Sequence, residues 1–198
     1  MRITALTTSG ELVKVVVDNK LLGLVASSVV LELELRPGQE ITAIQHRHLK
    51  EAVEYMAFYR AAGRYCSRRL RSRAEAEAYL AKLHCPLSTA GRIADRLLSD
   101  GLINETQLAA ALIHDAGLRR PMSRISLTKK LQDKHLNPEL VSQALDAAGT
   151  DDERALLAVI AKKQRQPSYV NNKPRLFRYL LRQGFAYTLI VKHLGSPY

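Results

Sequence analysis

Strand-forming apolar residues occur over the first 30 positions in short runs that turn signals separate. Residues 2–17 carry Ile3, Leu6 and further aliphatic residues on both sides of the turn signal Ser9-Gly10. A second turn, Asp18-Asn19-Lys20, leads into the apolar run LLGLVASSVV. This pattern predicts a small antiparallel sheet. Because about 40 residues make a poor sheet domain on their own, we expect the sheet to pack on the segment that follows.

The next five residues, LELEL at 31–35, alternate between apolar and acidic side chains. Alternation with period two predicts a strand. The turn Arg36-Pro37-Gly38-Gln39 ends this segment.

From residue 41 the apolar spacing changes to steps of three and four, which is typical of a helix. Leu49, Val53 and Met56 follow this spacing in the first long helical segment. Ser72 and Glu75 form a capping-box pattern that predicts the start of a second helix. We expect Ser88 to open a third helix with Ile93, Leu97 and Leu98 on its apolar face and with Gly101 as its C-terminal stop.

The same order of helix signals then recurs twice. Asn104, Ser123 and Asn137-Pro138 predict the next three helix starts, and Gly149 predicts an end. A third round places Asp151, Asp152 and Glu153 in a first turn, where acids suit the helix dipole, and Pro174 at the start of a later helix. The matching pairs Ser72-Arg73, Ser123-Arg124 and Lys173-Pro174 are 51 and 50 residues apart.

These signals predict a mainly α fold. It consists of three tandem three-helix repeat units stacked in a curved array, with a small N-terminal β-rich extension. The expected segments are the extension at 1–45, repeat 1 at 46–102, repeat 2 at 103–149 and a basic repeat 3 at 150–198.

The composition of the sequence argues against membrane proteins, disulfide or zinc proteins and enzymes. The sequence has no apolar run of membrane-spanning length and no leader pattern, so we expect a cytoplasmic protein with no membrane contact. Cys66 and Cys85 lack disulfide or zinc spacing and are expected to be buried apolar residues. The six histidines are scattered, and no phosphate-binding glycine motif occurs. We therefore expect no metal, no cofactor and no enzymatic activity.

Charge is distributed unevenly along the chain. The formal net charge is +11, and residues 154–198 hold nine Lys and Arg with no Asp or Glu. Such a segment indicates a polyanionic or acidic partner. The alternative is a basic surface that binds nothing, with cations that only stabilise helix C-termini.

Helical spacing places Arg175, Arg178 and Arg182 in one stripe, with Phe177, Leu180 and Leu181 on the core face. Tyr169, Tyr179 and Tyr187 either stack with bases or pack in the core. Arg64 and Arg68 share a face beside a helix end. The candidate binding residues are Arg64, Arg68, Arg69, Arg124, Lys129, Lys130, Lys162, Lys163, Arg165, Lys173, Arg175, Arg178 and Arg182.

Several ordered stretches resemble the RecX family of recombination regulators. These are AGRYCSRRLRSRAEAEAYL at 62–80, LLSDGLINETQLA at 97–109, SRISLTKKLQDKHLNPELVSQAL at 123–145 and RLFRYLLRQGFAYTLIVKHL at 175–194. Residues 18–42 are similar to an N-terminal extension that a subset of the family carries. The resemblance covers nearly the whole chain.

The resemblance implies three tandem three-helix units. It also implies a monomeric regulator that binds the RecA filament and its single-stranded DNA, and that inhibits ATP hydrolysis, filament extension and strand exchange. Two alternatives stay open: a helical protein that binds DNA or RNA directly without RecA, and an interaction scaffold with no nucleic-acid role.

The sequence departs from the family pattern at several points. Leu83-His84-Cys85 replaces a usual Lys-Gly-hydrophobic turn, so this turn is expected to differ. Leu108 and Leu112 stand where an aromatic residue is common, and Glu34 stands where many relatives have glycine. The resemblance implies a short helix near 27–34, in conflict with the strand that LELEL predicts. We favour the helix.

Overall fold

The computed structural model describes residues 1–119, 121–170 and 172–196. These residues contain three strands and eleven helices, so the fold is mainly α with a small N-terminal sheet, as predicted. The chain divides into two compact units. Unit 1 comprises Met1–Arg69 and Ala76–Ile103, and unit 2 comprises Leu70–Glu75 and the residues from Asn104 onward. The four segments expected from the sequence stay a prediction.

The predicted sheet lies at the start of unit 1. Strands β1 (Ile3–Ser9), β2 (Leu12–Val17) and β3 (Lys20–Ala26) are antiparallel in the order β1-β2-β3. Their inner face is apolar and packs on Leu49 of the first long helix, which is fully buried. The sheet therefore shares a core with the helical segment, as expected from its small size.

LELEL does not form a strand. Helix α1 spans Ser27–Glu32, so the prediction from alternation was wrong and the helix was right. The helix ends in a tight turn in which Glu34 has a φ of 49°. The amide of Leu35 donates to the carbonyl of Val30 at 2.9 Å, and the Leu35 side chain is buried. Burial of Leu35 through this left-handed turn decides the conformation, which period-two alternation does not report.

Unit 1 continues with α2 (Ala43–Ser67), most of α3 (Arg73–Lys82) and α4 (Leu87–Ser99). The capping box predicted at Ser72 is present: its Oγ accepts from the Glu75 amide, and Glu75 accepts from the Ser72 amide. Ser88 does not open α4. That helix begins at Leu87 after Pro86, which has no side-chain cap. Cys66 and Cys85 are both buried in the core of this unit, as expected.

Unit 2 contains seven helices in its described part. They are α5 (Glu105–Arg119), α6 (Arg124–Gln132), α7 (Pro138–Ala147), α8 (Asp152–Gln164), α9 (Pro167–Val170), α10 (Lys173–Arg182) and α11 (Tyr187–Leu194). Asn104, Ser123 and Asn137 cap their helices as predicted. Asp151 is the N-cap of α8, one position before the first turn in which it was expected. The short α9 was not predicted.

The second helix of each repeat is α3, α6 or α10, and the turn that follows it has the same backbone conformation in all three repeats. His84, His135 and Gly184 adopt left-handed conformations with φ of 61°, 56° and 78°. Each is followed by a buried side chain, Cys85, Leu136 or Phe185. The turn at Leu83-His84-Cys85 therefore has the left-handed conformation of its two counterparts in this chain, and its difference from the family's turn stays a prediction.

In repeats 1 and 2, the second helix begins at a position that the next repeat contacts. In repeat 1, the Arg73 amide donates to Glu105 at 2.8 Å, and Lys134 donates to Glu75 at 2.8 Å. In repeat 2, the Arg124 amide donates to Asp152 at 2.6 Å, and the Ser123 hydroxyl donates to the carbonyl of Gln183 at 2.5 Å. Ser72 and Ser123 are both fully buried.

Alanine at Gly184 should destabilise the protein more than alanine at Gly149. Both residues have positive φ, at which a Cβ costs roughly 1–2 kcal/mol. A Cβ at Gly184 would also lie 2.9 Å from the Ser123 Oγ, whereas nothing lies within 4 Å of one at Gly149. We expect Gly184→Ala to lose on the order of 1 kcal/mol more in urea unfolding. Equal losses for the two variants would show that the Ser123 side chain moves away from the added Cβ at little cost.

Removing the charge of Glu75 should weaken unit 2 in a pH-dependent way. Burial raises the pKa of Glu75, but hydrogen bonds from Lys134 and the Ser72 amide, with the charges of Lys134 and Arg71, hold it below its ordinary 4.5. A lowered folded-state pKa stabilises the protein above the unfolded pKa, and this stabilisation is lost as the pH falls through the folded value. A double-mutant cycle of Glu75→Gln and Lys134→Met should give a coupling of about 0.5–1 kcal/mol at pH 7. That coupling should shrink below pH 4.5 as the Glu75 carboxylate is protonated. A coupling that does not change with pH would show that the ion pair between Glu75 and Lys134 does not supply it.

Candidate functional site

The candidate cations of repeat 3 form a surface on α8 and α10, which we call the repeat 3 cationic face. Six of its seven members are exposed, and Lys163 is half-buried. Among the residues that the structure describes, none of them forms an ion pair. The members are Lys162, Lys163, Arg165, Lys173, Arg175, Arg178 and Arg182.

The face exists because α10 is strongly amphipathic. Leu176, Phe177 and Leu180 are buried against α8 and α11, which leaves the predicted arginine stripe on the solvent side. Leu181, which was expected in the core, is 40% exposed and belongs to the polar side. Asn172 caps the helix by accepting from the Arg175 amide at 3.0 Å.

Two tyrosines hold part of the face in place. The Lys163 Nζ lies 4.8 Å and 4.5 Å from the ring centroids of Tyr169 and Tyr179, and the Arg175 guanidinium lies 5.2 Å from that of Tyr169. The two rings meet edge to face at 5.7 Å. Such cation–π contacts are worth about 0.5–1 kcal/mol each at exposed sites. Both tyrosines were candidates, but no local pattern in the sequence indicates this arrangement, since it joins α8, α9 and α10.

The three candidate tyrosines differ in how accessible their rings are to a ligand. Tyr169 and Tyr179 are half-buried, and cations already lie over their rings. Tyr187 is 54% exposed and packs edge-on against Phe177. Tyr187 therefore has the most accessible ring of the three.

The acidic side chains of repeat 3 are engaged within the chain. Asp151 caps its own helix, and Asp152 accepts from the Arg124 amide. Glu153 accepts from Lys192 Nζ and contacts His193 Nε2, both at 2.7 Å. The hydrogen bond from Lys192, followed by that from His193, holds the pKa of Glu153 below its ordinary value. Repeat 3 thus presents unpaired cations while its carboxylates are occupied.

The candidate binding residues of repeat 2 lie on α6, and one of them, unlike the repeat 3 cationic face, forms an ion pair within the chain. The Arg124 guanidinium donates to Asp146 at 2.6 Å and to Thr150 at 3.1 Å, so it joins α6 to the end of α7. Lys129 is exposed and Lys130 half-buried in the last turn of α6, where cations suit the helix dipole. Arg124 therefore has an evident packing role, whereas the two lysines have none.

The candidates in repeat 1 lie at the end of α2. Arg64 is in the last turn, and Arg68 is the C-cap residue with a helical backbone, so both keep the shared face that helical spacing predicted. Arg64, Arg68 and Arg69 are all exposed. They belong to unit 1, so the repeat 3 cationic face is the larger cluster that the structure assembles within one unit.

The described residues offer neither a metal centre nor a membrane span. No group of three or more His, Cys, Asp or Glu side chains among them is arranged to hold a metal ion. None of the helices that they form is long and apolar enough to cross a membrane.

Comparison with known sequences identifies relatives of one kind. A regulatory protein RecX from Mycobacterium ulcerans is 30% identical over 131 residues, which cover 64% of this chain and 76% of that protein. A regulatory protein RecX from Geobacillus kaustophilus is 25% identical over 176 residues, covering 87% of this chain. The chain spans 65% of the length of the Geobacillus protein. No family model matches the sequence.

Solved structures show the same fold. A crystal structure of regulatory protein RecX superimposes with a TM-score of 0.76 at 17% identity, over 98% of both chains. A crystal structure of RecX from Lactobacillus salivarius gives a TM-score of 0.60 at 23% identity, over 70% of this chain and 92% of that one. Together, the sequence relatives, the shared fold and the three-unit repeat show that the chain belongs to the RecX family of regulatory proteins.

Proposed function

We propose that this regulator binds the RecA–single-stranded DNA filament and inhibits RecA ATP hydrolysis, filament extension and strand exchange. It acts by binding, without catalysis, as a monomer in the cytoplasm. Family membership supports the choice of RecA as the partner, because the resemblance of the ordered stretches to the family implies that partner.

One observation carries the proposal. In repeat 3 the carboxylates have partners within the chain, while the cations of the repeat 3 cationic face form no ion pair with any described residue. An intrachain ion pair would lower the field of each cation, and its absence leaves a surface that attracts anions over a Debye length of about 8 Å. A nucleoprotein filament offers both phosphates and acidic side chains to such a surface.

Direct binding to DNA or RNA without RecA is the second candidate. It is favoured by Tyr187, whose exposed ring lies on the first turn of α11, next in the chain to the basic helix α10. Against sequence-specific duplex binding, IADRLLSDG in α4 and LVSQALDAAG in α7 carry few of the Asn, Gln and Arg side chains that read base edges. Binding to bare oligonucleotides, measured without RecA, separates the two candidates.

Addition of the protein to RecA, single-stranded DNA and ATP should suppress ATP turnover below a one-to-one ratio with RecA. The physical reason is that one bound regulator restrains several neighbouring filament subunits. Release of phosphate, followed as the protein is titrated, measures the effect. Turnover that is unchanged at equimolar protein would contradict the proposed function.

Neutralising Arg178 and Arg182 should weaken binding because the variant neutralises fewer phosphates. For single strands, the slope of log K against log salt falls by about 0.7 for each phosphate that the protein no longer neutralises. We expect Arg178→Gln/Arg182→Gln to lower the slope by about that much per residue in anisotropy titrations of labelled filaments between roughly 50 and 200 mM salt. Both residues are exposed, so the fold should be retained.

The matched control is Lys50→Gln/Lys82→Gln, which removes the same charge from two exposed lysines outside the candidate set. Its salt slope should equal that of the unchanged protein. An equal decrease in the control would show that net charge, and not the repeat 3 cationic face, sets the affinity.

A further inference from the structure

A shallow apolar groove lies in unit 1, between the sheet and helix α2. Its volume is about 340 Å³, at the lower end of the roughly 300–1,000 Å³ that ligand pockets in proteins enclose. The larger apolar side chains that line it are those of Leu21, Leu24, Val53 and Met56. The groove therefore has room for an apolar side chain of a binding partner and little more.

The groove follows from the backbone of β3. The register between β2 and β3 shifts where Val15 pairs with Gly23 and Val16 pairs with Leu21, so β3 carries one extra residue. Gly23 has a φ of 154°, and a Cβ there would clash with the Val53 side chain. Glycine thus lets the strand approach α2 closely, and no side chain at this position fills the space beside Val53.

Apolar surface continues from the groove to the edge of the sheet. The strand order β1-β2-β3 makes β3 an edge strand, and its Leu21 is 61% exposed. Proteins usually avoid large apolar side chains on edge strands, because such strands bind other chains. On the helix side, Ala57 also lines the groove and is exposed. An apolar groove joined to exposed apolar residues is typical of a protein-interaction site.

Cations lie at the rim of the groove. Lys14 of β2 and Arg60 of α2 both line it, and both are exposed. Neither forms an ion pair with any residue that the structure describes. Among the described lining residues, none is acidic. The apolar walls are therefore combined with two cations that attract carboxylates.

The positive charge extends from the groove along α2. Arg60, Arg64 and Arg68 are spaced four residues apart and share one face of the helix, and all three are exposed. The sequence contains no Asp or Glu between Glu54 and Glu75, so no acid interrupts this stripe. The pair Arg64 and Arg68 thus belongs to a longer surface with an apolar groove beside Arg60.

The lining of the groove suits a protein better than it suits a nucleic acid. Bases are bound by stacking on aromatic rings and by hydrogen bonds to their edges. Among the described lining residues, none has an aromatic ring, a hydroxyl or an amide side chain. Aliphatic walls instead fit an aliphatic or aromatic anchor, and lysine and arginine at the rim fit carboxylates next to that anchor.

We infer that the groove between β3 and α2 docks an acidic segment of a protein partner. An apolar side chain of this segment fills the groove beside Leu21 and Val53, and its carboxylates pair with Lys14 and Arg60. Arg64 and Arg68 extend the surface to acids farther along the segment. The assignment rests on the proposed function, with RecA as the source of the segment.

The test measures the binding of full-length variants to two probes. The first is a labelled oligo(dT), and the second is the same oligonucleotide coated with RecA in a non-hydrolysable ATP analogue. We expect Lys14→Glu/Arg60→Glu to bind the coated probe at least about tenfold more weakly than the unchanged protein does. Leu21→Asp should show a similar loss, because its carboxylate places a charge in the apolar part of the site and repels the acidic segment.

Two matched controls separate the groove from general effects of charge and surface polarity. Lys50→Glu/Lys82→Glu reverses two exposed lysines outside the groove, and Leu87→Asp changes a leucine that is 86% exposed on α4. Both should bind the coated probe within about twofold of the unchanged protein. On the bare probe, each groove variant should bind within about twofold of its matched control.

The other outcomes contradict the inference. An equal loss on both probes assigns the two cations to phosphates, and no loss on either probe shows that the groove is not used. A loss for Lys14→Glu/Arg60→Glu without a loss for Leu21→Asp shows a purely electrostatic contact. If the unchanged protein does not bind the coated probe but binds the bare one, the proposed function fails and the inference falls with it.

A photo-crosslinking residue in place of Ala57 gives an independent readout from an exposed position in the groove. An adduct with RecA supports the inference. An adduct with the oligonucleotide assigns the groove to nucleic acid, and an adduct with a second copy of the protein assigns it to self-association. Either of the last two results contradicts the inference.

Discussion

The contact between the start of one second helix and the following repeat is the constraint on which the helical part of the protein depends. Ser72 and Ser123 are buried polar residues, and a buried hydroxyl without a partner costs about 1–3 kcal/mol. The Ser72 Oγ accepts from the Glu75 amide, and the Ser123 Oγ accepts from the Ser126 amide and donates to the Gln183 carbonyl. Within unit 2, the contacts of Ser123 and Arg124 therefore fix the register of repeat 2 on repeat 3, which apolar packing between short helices leaves loosely specified.

This constraint also explains the distribution of charge. Carboxylates at the helix starts of repeats 2 and 3, such as Glu105 and Asp152, accept hydrogen bonds from amides of the preceding repeat. After Glu153 the sequence contains no acid, so the cations of α10 have no later carboxylate within it to pair with. The acids of repeat 3, Asp151, Asp152 and Glu153, thus lie at the start of α8 with partners within the chain, apart from the cations of α10.

The sequence predicted most of the elements because their signals are local. Ser72 with Glu75, Ser123 and Asn137-Pro138 identify helix starts from four residues or fewer, and the structure confirms them. The cationic stripe of α10 also follows from helical spacing alone. Its membership of a binding site stays a prediction, since sequence and structure locate the cations without showing what they bind.

The failures came from contacts that join distant residues. The alternation of LELEL alone predicts a strand, because it does not report the burial of Leu35 beyond the end of α1. Leu181 lies on the solvent side because Leu176 takes the core position instead. Arg124 stays a binding candidate, and no local pattern indicates that its guanidinium donates to Asp146, 22 residues later. Single-sequence patterns carry no information about such partners.

Charge in the first turn does not explain where α10 begins. Acids occupy the first turns of α3, α5, α7 and α8, where they suit the helix dipole, whereas α10 has none there and carries Lys173 and Arg175 instead. Like charge at a helix N-terminus opposes the dipole by roughly 0.3–1 kcal/mol per residue. Asn172, Pro174 and the buried Leu176 and Phe177 hold the helix in spite of this cost. The start of α10 is thus set by its cap and by the burial of its apolar face, and not by the charge of its first turn.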